Sequence, residues 1–267
     1  MKFPSILLTA VDSTHLGRLD YASLSTQALM EIFIEGIENR EVICRSADEP
    51  DDFDKWGGVT YCSEQPANSD KKHFEIKWYF TELVGTIDLQ WLPPTVSSLV
   101  FFMSKLRGSL NLAALPPSIQ CLNLGYNAFS GEIDLCHLPV GIKGLNLSGN
   151  QLSGSLNLEK LPQSLQGLYV RVNHFSGTVC LRHLPSNLQK LSLSENKLFG
   201  RIDLTLLPVT LKILSLDDNS FEGKTDFSHL PEGLDVLHIE NTNLSGKIVG
   251  RDRTLFHVEN SNVELIQ

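Results

Sequence analysis

Residues 119–141 read IQCLNLGYNAFSGEIDLCHLPVG, and this pattern recurs every 23 residues along most of the chain. Glycine keeps the interval at Gly85, Gly108, Gly131, Gly154, Gly177, Gly200, Gly223 and Gly246. Proline keeps it directly after leucine at Pro93, Pro116, Pro139, Pro162, Pro185, Pro208 and Pro231. Because the register never slips, this part of the chain is an array of equivalent structural units.

Each unit contains a short strand that is buried on one side. In Leu122-Asn123-Leu124 the period-two alternation sends the leucines to one side and the residue between them to the other. One unit alone cannot bury its leucines, whereas units stacked in parallel cover one another's apolar rows. About nine strands spaced ~4.8 Å apart predict a parallel sheet forming an arc of roughly 40 Å.

The consensus LxxLxLxxNxFSGxIDLxxLPxx resembles the leucine-rich repeat family, most closely its plant-type class, in which LSGxI follows the strand. The resemblance covers about residues 73–263. The unit is one residue shorter than the plant-type norm, and Asp or Asn replaces the proline that follows the isoleucine, at Asp88, Asn111, Asp134, Asn157, Asp203 and Asp226. The resemblance implies an α/β solenoid that is mostly β, a right-handed arc with a parallel concave sheet of about nine strands and an N-terminal helical cap.

The two ends depart from the repeat, as expected of units that shield an open core. We predict an N-terminal cap over residues 1–72, with a disordered start and a helix over about residues 24–40 that begins at Ser25 and Thr26. Its segment WGGVTYC, residues 56–62, is similar to the WxGVxC element of plant-type caps. Residues 73–249 hold the repeats, and residues 250–267 form a shortened capping unit, because HVENSNV echoes HIENTNL after only 19 residues.

Asparagine recurs at the turn after the strand in five consecutive repeats, where a buried amide can bond backbone groups that the bend leaves unpaired. We expect these side chains to form a structural ladder along the solenoid, made of Asn127, Asn150, Asn173, Asn196 and Asn219.

The outward side chains between the leucines would line the concave face, where packing does not fix their identity. They are apolar and aromatic towards the N-terminus and acidic towards the C-terminus, with Val172, Glu259, Lys190 and Lys212 among them. This distribution predicts a protein partner with an apolar contact and a basic segment. The predicted partner-binding residues are Val100, Phe102, Met103, Tyr126, Tyr169, Arg171, Glu195, Asp217, Asp218, His238 and Glu240. Two other interpretations stay open: polar residues that only keep the sheet soluble, and an aromatic cluster that the cap buries as core.

The overall charge argues against nucleic acid as a partner, because 31 acidic and 22 basic residues give a formal net charge of -9. No apolar run approaches the ~20 residues that span a bilayer, so we expect no direct membrane insertion. Five cysteines that are out of phase with the repeat favour a reducing compartment, and we predict the cytoplasm. A secreted or cell-surface protein is the alternative, given a leader-like start and sequons at Asn146 and Asn243. The sequence indicates no oligomeric state and leaves open whether Cys44 and Cys62 pair.

We predict no enzyme, metal or cofactor, because the chain has no CxxC pair, phosphate loop, GxSxG or HExxH motif. His137, His183 and His229 lie about two layers apart and are interpreted as turn residues. The leading hypothesis is a non-catalytic protein-protein interaction or scaffold module that binds a macromolecule on its concave face. The alternative is a secreted or surface recognition ectodomain for peptide or glycan ligands. A metal-dependent enzyme that uses His238 and His257 is a third hypothesis.

Overall fold

The computed structural model describes residues 21–63, 72–249 and 255–266, and it shows a solenoid of parallel strands with few helices. The predicted fold class is therefore confirmed. The predicted disordered start, the leader-like segment and part of the shortened C-terminal unit lie outside the described residues. Within the described ranges, none of the helices is both long and apolar enough to cross a membrane.

Alternate strands along the chain build the concave sheet. Their bounds are β1 (Val59–Tyr61), β2 (Phe74–Lys77), β4 (Val96–Val100), β6 (Cys121–Asn123), β8 (Gly144–Asn146), β10 (Gly167–Tyr169), β12 (Lys190–Ser192), β14 (Ile213–Ser215), β16 (Val236–His238) and β18 (Phe256–His257). β1 is antiparallel to β2, and β2 to β18 are parallel neighbours in chain order. One leucine of each central strand pairs with the leucine one repeat later, as Leu122 does with Leu145, so the buried row is continuous.

A second sheet, which the sequence analysis did not predict, runs along the other side of the core. Its strands are β3 (Val84–Gly85), β5 (Lys105–Gly108), β7 (Ala128–Glu132), β9 (Gln151–Gly154), β11 (His174–Gly177), β13 (Lys197–Gly200), β15 (Ser220–Lys224), β17 (Asn243–Val249) and β19 (Asn262–Ile266). One inward residue in each repeat anchors it, and Phe129, Phe175 and Phe221 are fully buried there. The repeating glycine follows with a positive φ, as in Gly131 at 87°, a conformation that glycine adopts without steric cost.

The recurring asparagines join consecutive repeats. Asn173 accepts a hydrogen bond on Oδ1 from the Leu152 backbone N–H at 3.0 Å. Its Nδ2 donates to the carbonyls of Leu147 at 3.0 Å and Val170 at 3.1 Å. The same pattern occurs at Asn127, Asn150, Asn196 and Asn219. Each amide thereby bonds backbone groups that the sheets leave unpaired at the bend.

The convex return is closed by short turns that begin at the Asp or Asn that replaces the plant-type proline. Asp203 Oδ1 accepts from the Thr205 N–H at 2.9 Å, and Asn157 Oδ1 accepts from the Glu159 N–H at 3.1 Å. Such side-chain turns close the bend without proline, because the carboxylate or amide holds the backbone. The early repeats place a 3-10 turn there, at Leu89–Trp91 and Leu112–Ala114.

The N-terminal cap contains α1 (Thr26–Ile34) and α2 (Glu41–Cys44), with 3-10 turns at Tyr21–Ser23 and Phe53–Lys55. Ser25 caps α1 by accepting from the Ala28 N–H. The helix is shorter than predicted, because Ile37 forms an antiparallel bridge with Gly85 of the first repeat.

A glycine makes this contact between cap and repeat possible. A Cβ at Gly36 would lie 2.5 Å from the Thr86 carbonyl oxygen, so a larger residue would push the two segments apart. In the described residues no disulfide joins Cys44 to Cys62, since the buried Cys44 thiol donates to the Arg40 and Ser46 carbonyls.

Candidate ligand-binding face

Three aromatic rings cross the N-terminal part of the concave sheet. Phe80 and Phe102 have ring centroids 5.9 Å apart at an interplanar angle of 83°. Phe102 and Tyr126 have centroids 5.3 Å apart at 76°. We call Phe80, Phe102 and Tyr126 the aromatic strip. Edge-to-face contacts of this kind hold rings in a fixed arrangement, which lowers the entropy that a ligand contact would cost.

The aromatic strip faces solvent. Phe80 is 67% exposed, the neighbouring Met103 is 46% exposed and Tyr126 is 40% exposed, while Phe102 is half-buried between the other two rings. Within residues 21–63, the part of the cap that the structure describes before the repeats, no segment buries this cluster as core. An exposed apolar patch on a folded surface is typical of an interaction site.

The backbone at the end of each concave strand adopts a left-handed conformation. One residue per repeat has φ between 50° and 65°, at Phe80, Met103, Tyr126, Gly149, Val172, Glu195, Asp218, Asn241 and Asn260. This conformation is uncommon for residues other than glycine and asparagine, and it is an outlier for the β-branched Val172. Such strained positions cluster at functional sites. In the five central repeats the asparagine that follows bonds the neighbouring backbone carbonyls and holds the bend in place.

Polar contacts connect the aromatic strip to the acidic half of the face. The Arg171 guanidinium donates to the Tyr126 hydroxyl at 3.4 Å and lies 4.0 Å from a Glu195 carboxylate oxygen. Tyr126 also lies against the next repeat, where a Cβ at Gly149 would be 2.7 Å from its ring. Arg171 thus lies between the aromatic strip and the acidic residue Glu195.

Three carboxylates occupy equivalent positions two residues after the ends of the last three concave strands, β14, β16 and β18. Ser215 pairs with His238, and His238 pairs with His257, so the residues two places later, Asp217, Glu240 and Glu259, also align across the sheet. We call these three the acidic column. No lysine or arginine among the described residues forms an ion pair with it. The Ser194 hydroxyl donates to Asp217, and His238 Nδ1 lies 3.0 Å from Glu240 Oε1.

The remaining predicted residues differ in how they are presented. Val100 and Tyr169 are half-buried within their strands, and burial raises the pKa of the Tyr169 hydroxyl. Asp218 is exposed and accepts a hydrogen bond from Asn241 Nδ2 at 2.9 Å. Phe80 was not predicted from the sequence, although its place one residue before the position of the recurring asparagine marks it as part of the same row.

The convex histidines pair with acids of their own turns or of the neighbouring turn. His137 Nδ1 lies 2.5 Å from Asp134 Oδ2, and His229 lies 3.4 Å from Asp226. His183 differs, because its Nδ1 lies 3.2 Å from Glu159 of the preceding repeat and 4.0 Å from the Cys180 sulfur.

No protein-family model and no curated protein matches the chain. Solved structures do. The Arabidopsis receptor kinase HAESA, in complex with the peptide hormone IDA and the co-receptor SERK1, is 22% identical over 67% of this chain and 32% of its own, with a TM-score of 0.54. The leucine-rich repeat ectodomain of GASSHO1/SCHENGEN3 from Arabidopsis thaliana, in complex with CASPARIAN STRIP INTEGRITY FACTOR 2, is 18% identical over 90% of this chain and 36% of its own, with a TM-score of 0.53. A plant ice-binding protein is 18% identical over 90% of this chain and 94% of its own, with a TM-score of 0.51.

The chain therefore has the leucine-rich repeat fold, as the resemblance of its sequence predicted. It spans about a third of the length of the two receptor chains to which it is similar. Because the sequence identity to these structures is below 25%, the similarity establishes the fold alone. Any function depends on the side chains of the concave face.

Proposed function

We propose that the chain is a non-catalytic recognition module that holds a peptide or protein ligand against its concave face. The aromatic strip carries this proposal, since Phe80 and Tyr126 are exposed and both contact the half-buried Phe102, on a sheet where only the leucines are needed for packing. Aromatic side chains are enriched among the residues that dominate binding energy at protein interfaces. The strip would anchor an apolar side chain of the ligand.

The acidic half of the face would bind a basic segment of the same ligand. Glu195 and Asp218 are exposed there, and the acidic column lies beside them. Charges of one sign on a concave surface steer an oppositely charged partner and fix its orientation. An extended chain running from strand to strand would place an apolar residue on the strip and lysine or arginine on the acids.

A recognition ectodomain fits these features better than an intracellular scaffold. The similar HAESA structure is a complex with a peptide hormone, and a peptide ligand would suit a long sheet with varied side chains. We therefore favour a secreted or cell-surface setting over the cytoplasm that the cysteine pattern predicted.

Glycosylation provides a check on that setting. Asn243 is exposed on β17, whereas Asn146 is half-buried and its side chain accepts a hydrogen bond from the Ser148 N–H. Expression in a secretory host, followed by peptide mass spectrometry, should find glycan on Asn243 in preference to Asn146.

A display library of random peptides, selected on the immobilised chain, tests the binding proposal. We expect enriched peptides to combine an aromatic or aliphatic residue with lysine or arginine. Phe102→Ala should weaken a selected peptide about 10-fold or more, because hot-spot truncations commonly cost about 1.4 kcal/mol or more. Glu195→Lys combined with Asp218→Lys should weaken it further at low salt.

Phe199→Ala is the matched control, since Phe199 is 50% exposed on the second sheet. It should leave peptide affinity unchanged. A library that yields no enriched sequence, or peptides that bind Phe102→Ala as tightly as the original chain, would overturn the proposed function.

A further inference from the structure

Three side chains with metal-binding groups converge at the C-terminal end of the concave face. Asp217, His238 and Glu240 each offer one ligand atom, and these atoms all lie within 4.8 Å of one another. The side chains of His238 and Glu240 are 31% and 23% exposed, so the group lies partly beneath the surface. One imidazole nitrogen and two carboxylate oxygens form a donor set that suits zinc and similar divalent ions.

A buried oxygen in this group has no hydrogen-bond partner among the residues that the structure describes. Glu240 Oε1 contacts His238, but Oε2 is inaccessible to solvent and receives no donor from any described residue. A carboxylate oxygen removed from water is costly unless a donor or cation compensates it. A bound ion would supply that compensation.

The negative charge around this group also favours binding of a cation. Asp217, Glu240 and Glu259 directly follow adjacent parallel strands, which are about 4.8 Å apart in a sheet. Lysine and arginine form no ion pair with these three among the described residues. Like charges at such spacing repel, and a divalent ion between two of them removes the repulsion.

The orientation of the imidazole is fixed before any ion binds. The His238 ring stacks on His257 with centroids 4.6 Å apart and an interplanar angle of 4°. The two rings occupy paired positions on β16 and β18, so the sheet itself sets their spacing. Pre-positioned ligands of this kind reduce the cost of binding a metal.

We infer that Asp217, His238 and Glu240 form a binding site for one divalent transition-metal ion of the zinc type. Tetrahedral coordination at ~2.1 Å places ligand atoms about 3.4 Å apart, so small rotations of the two carboxylates complete the site. Three protein ligands leave a fourth position for water or for an acidic group of a bound ligand. The inference does not rest on the proposed function, because metal binding is measured with no peptide present.

A second group of donors offers a clear alternative on the convex surface. Glu159, Cys180 and His183 also place ligand atoms within 4.8 Å of one another. Their setting is more open, with His183 at 64% and Glu159 at 50% exposure, and none of their buried atoms lacks a partner among the described residues. The two groups differ in chemistry, since only the convex one contains a cysteine sulfur.

Cobalt(II) and zinc(II) titrations of the full chain, after removal of metal by a chelator, test the inference. Mass spectrometry under native conditions should show one ion bound per chain. Bound cobalt should give visible ligand-field bands without a thiolate-to-cobalt charge-transfer band, because no sulfur coordinates it. Asp217→Asn and His238→Gln should each weaken zinc binding about 10-fold or more.

Asp218→Asn is the matched control, because it removes the same charge from the next residue, whose side chain contacts Asn241. It should leave zinc affinity unchanged, as should Cys180→Ser. The inference is overturned if no ion binds, if Asp218→Asn weakens binding as much as Asp217→Asn, or if a charge-transfer band appears and disappears in Cys180→Ser. Circular dichroism of each variant confirms that it is folded.

Discussion

The rings of Phe102 and Tyr126 meet nearly edge to face, with centroids 5.3 Å apart and planes at 76°. Because each ring also touches other residues, the contact is best measured by a double-mutant cycle. We expect Phe102→Ala and Tyr126→Ala to show a coupling free energy of about 0.5–1.5 kcal/mol in urea unfolding. A second cycle that combines Phe102→Ala with Phe199→Ala, on the other sheet, should give additive losses in the free energy of unfolding. Equal coupling in both cycles would contradict a direct ring contact.

Asn173 lies where two repeats are joined, and its amide makes hydrogen bonds to the backbone on both sides. Asn173→Ala would leave the Leu152 N–H and the Leu147 and Val170 carbonyls without these partners. Buried groups left unpaired cost about 1–3 kcal/mol each, partly recovered by relaxation, so we expect a loss of about 2–4 kcal/mol. Urea unfolding followed by circular dichroism measures it.

Asn187→Ala provides the comparison for this amide. Asn187 is exposed on the convex side and donates one hydrogen bond to the Gln163 carbonyl. Its removal should cost less than about 1 kcal/mol, as for most surface substitutions. If both variants lost the same stability, the recurring asparagines would not be the joints between repeats.

Much of the solenoid could be predicted because a single residue spacing repeats. Leucine, glycine and proline hold fixed places in each 23-residue unit, so strands, bends and the buried row follow from alternation and stacking. The second sheet was missed because most of its strands bury only one side chain, such as Phe129, which is too short a pattern to indicate a strand. The end of α1 depends on Gly36 meeting Thr86, a contact between segments far apart in sequence.

The candidate site was less predictable than the fold. Sequence spacing placed Phe102 and Tyr126 on one face, but it carried no information on ring geometry or exposure. Phe80 was overlooked because Thr81 replaces the asparagine that marks the turn in other repeats. The buried oxygen of Glu240 depends on side-chain orientation, which a repeat pattern does not determine.

Val172 is a β-branched residue in a left-handed conformation, with φ of 54°. The equivalent positions hold glycine at Gly149 and asparagine at Asn241, which adopt this conformation at lower cost. Val172→Asn should therefore stabilise the chain by about 0.5–1.5 kcal/mol, measured by urea unfolding. Val209→Asn, at an 83% exposed convex valine, should change stability by less than about 0.5 kcal/mol. A destabilised Val172→Asn would show that valine packing outweighs backbone strain.

The convex turns should make stability depend on acid pH. The Thr205 hydroxyl holds the pKa of Asp203 below its ordinary value of 3.8, and the Ser228 hydroxyl does the same for Asp226. The two carboxylates therefore contribute their full share of the folding stability above pH 3.8, and this share is lost as the pH falls through the lowered pKa. Asn157 shows that an amide can close the same turn. The double variant Asp203→Asn and Asp226→Asn should therefore lose less stability than the original chain when the pH is lowered. Urea unfolding midpoints at neutral and acid pH measure the difference. Asp235→Asn is the control, because this carboxylate is exposed and makes no side-chain hydrogen bond among the described residues. It should keep the pH dependence of stability of the original chain. If the double variant also kept it, Asp203 and Asp226 would not be the source of the pH dependence.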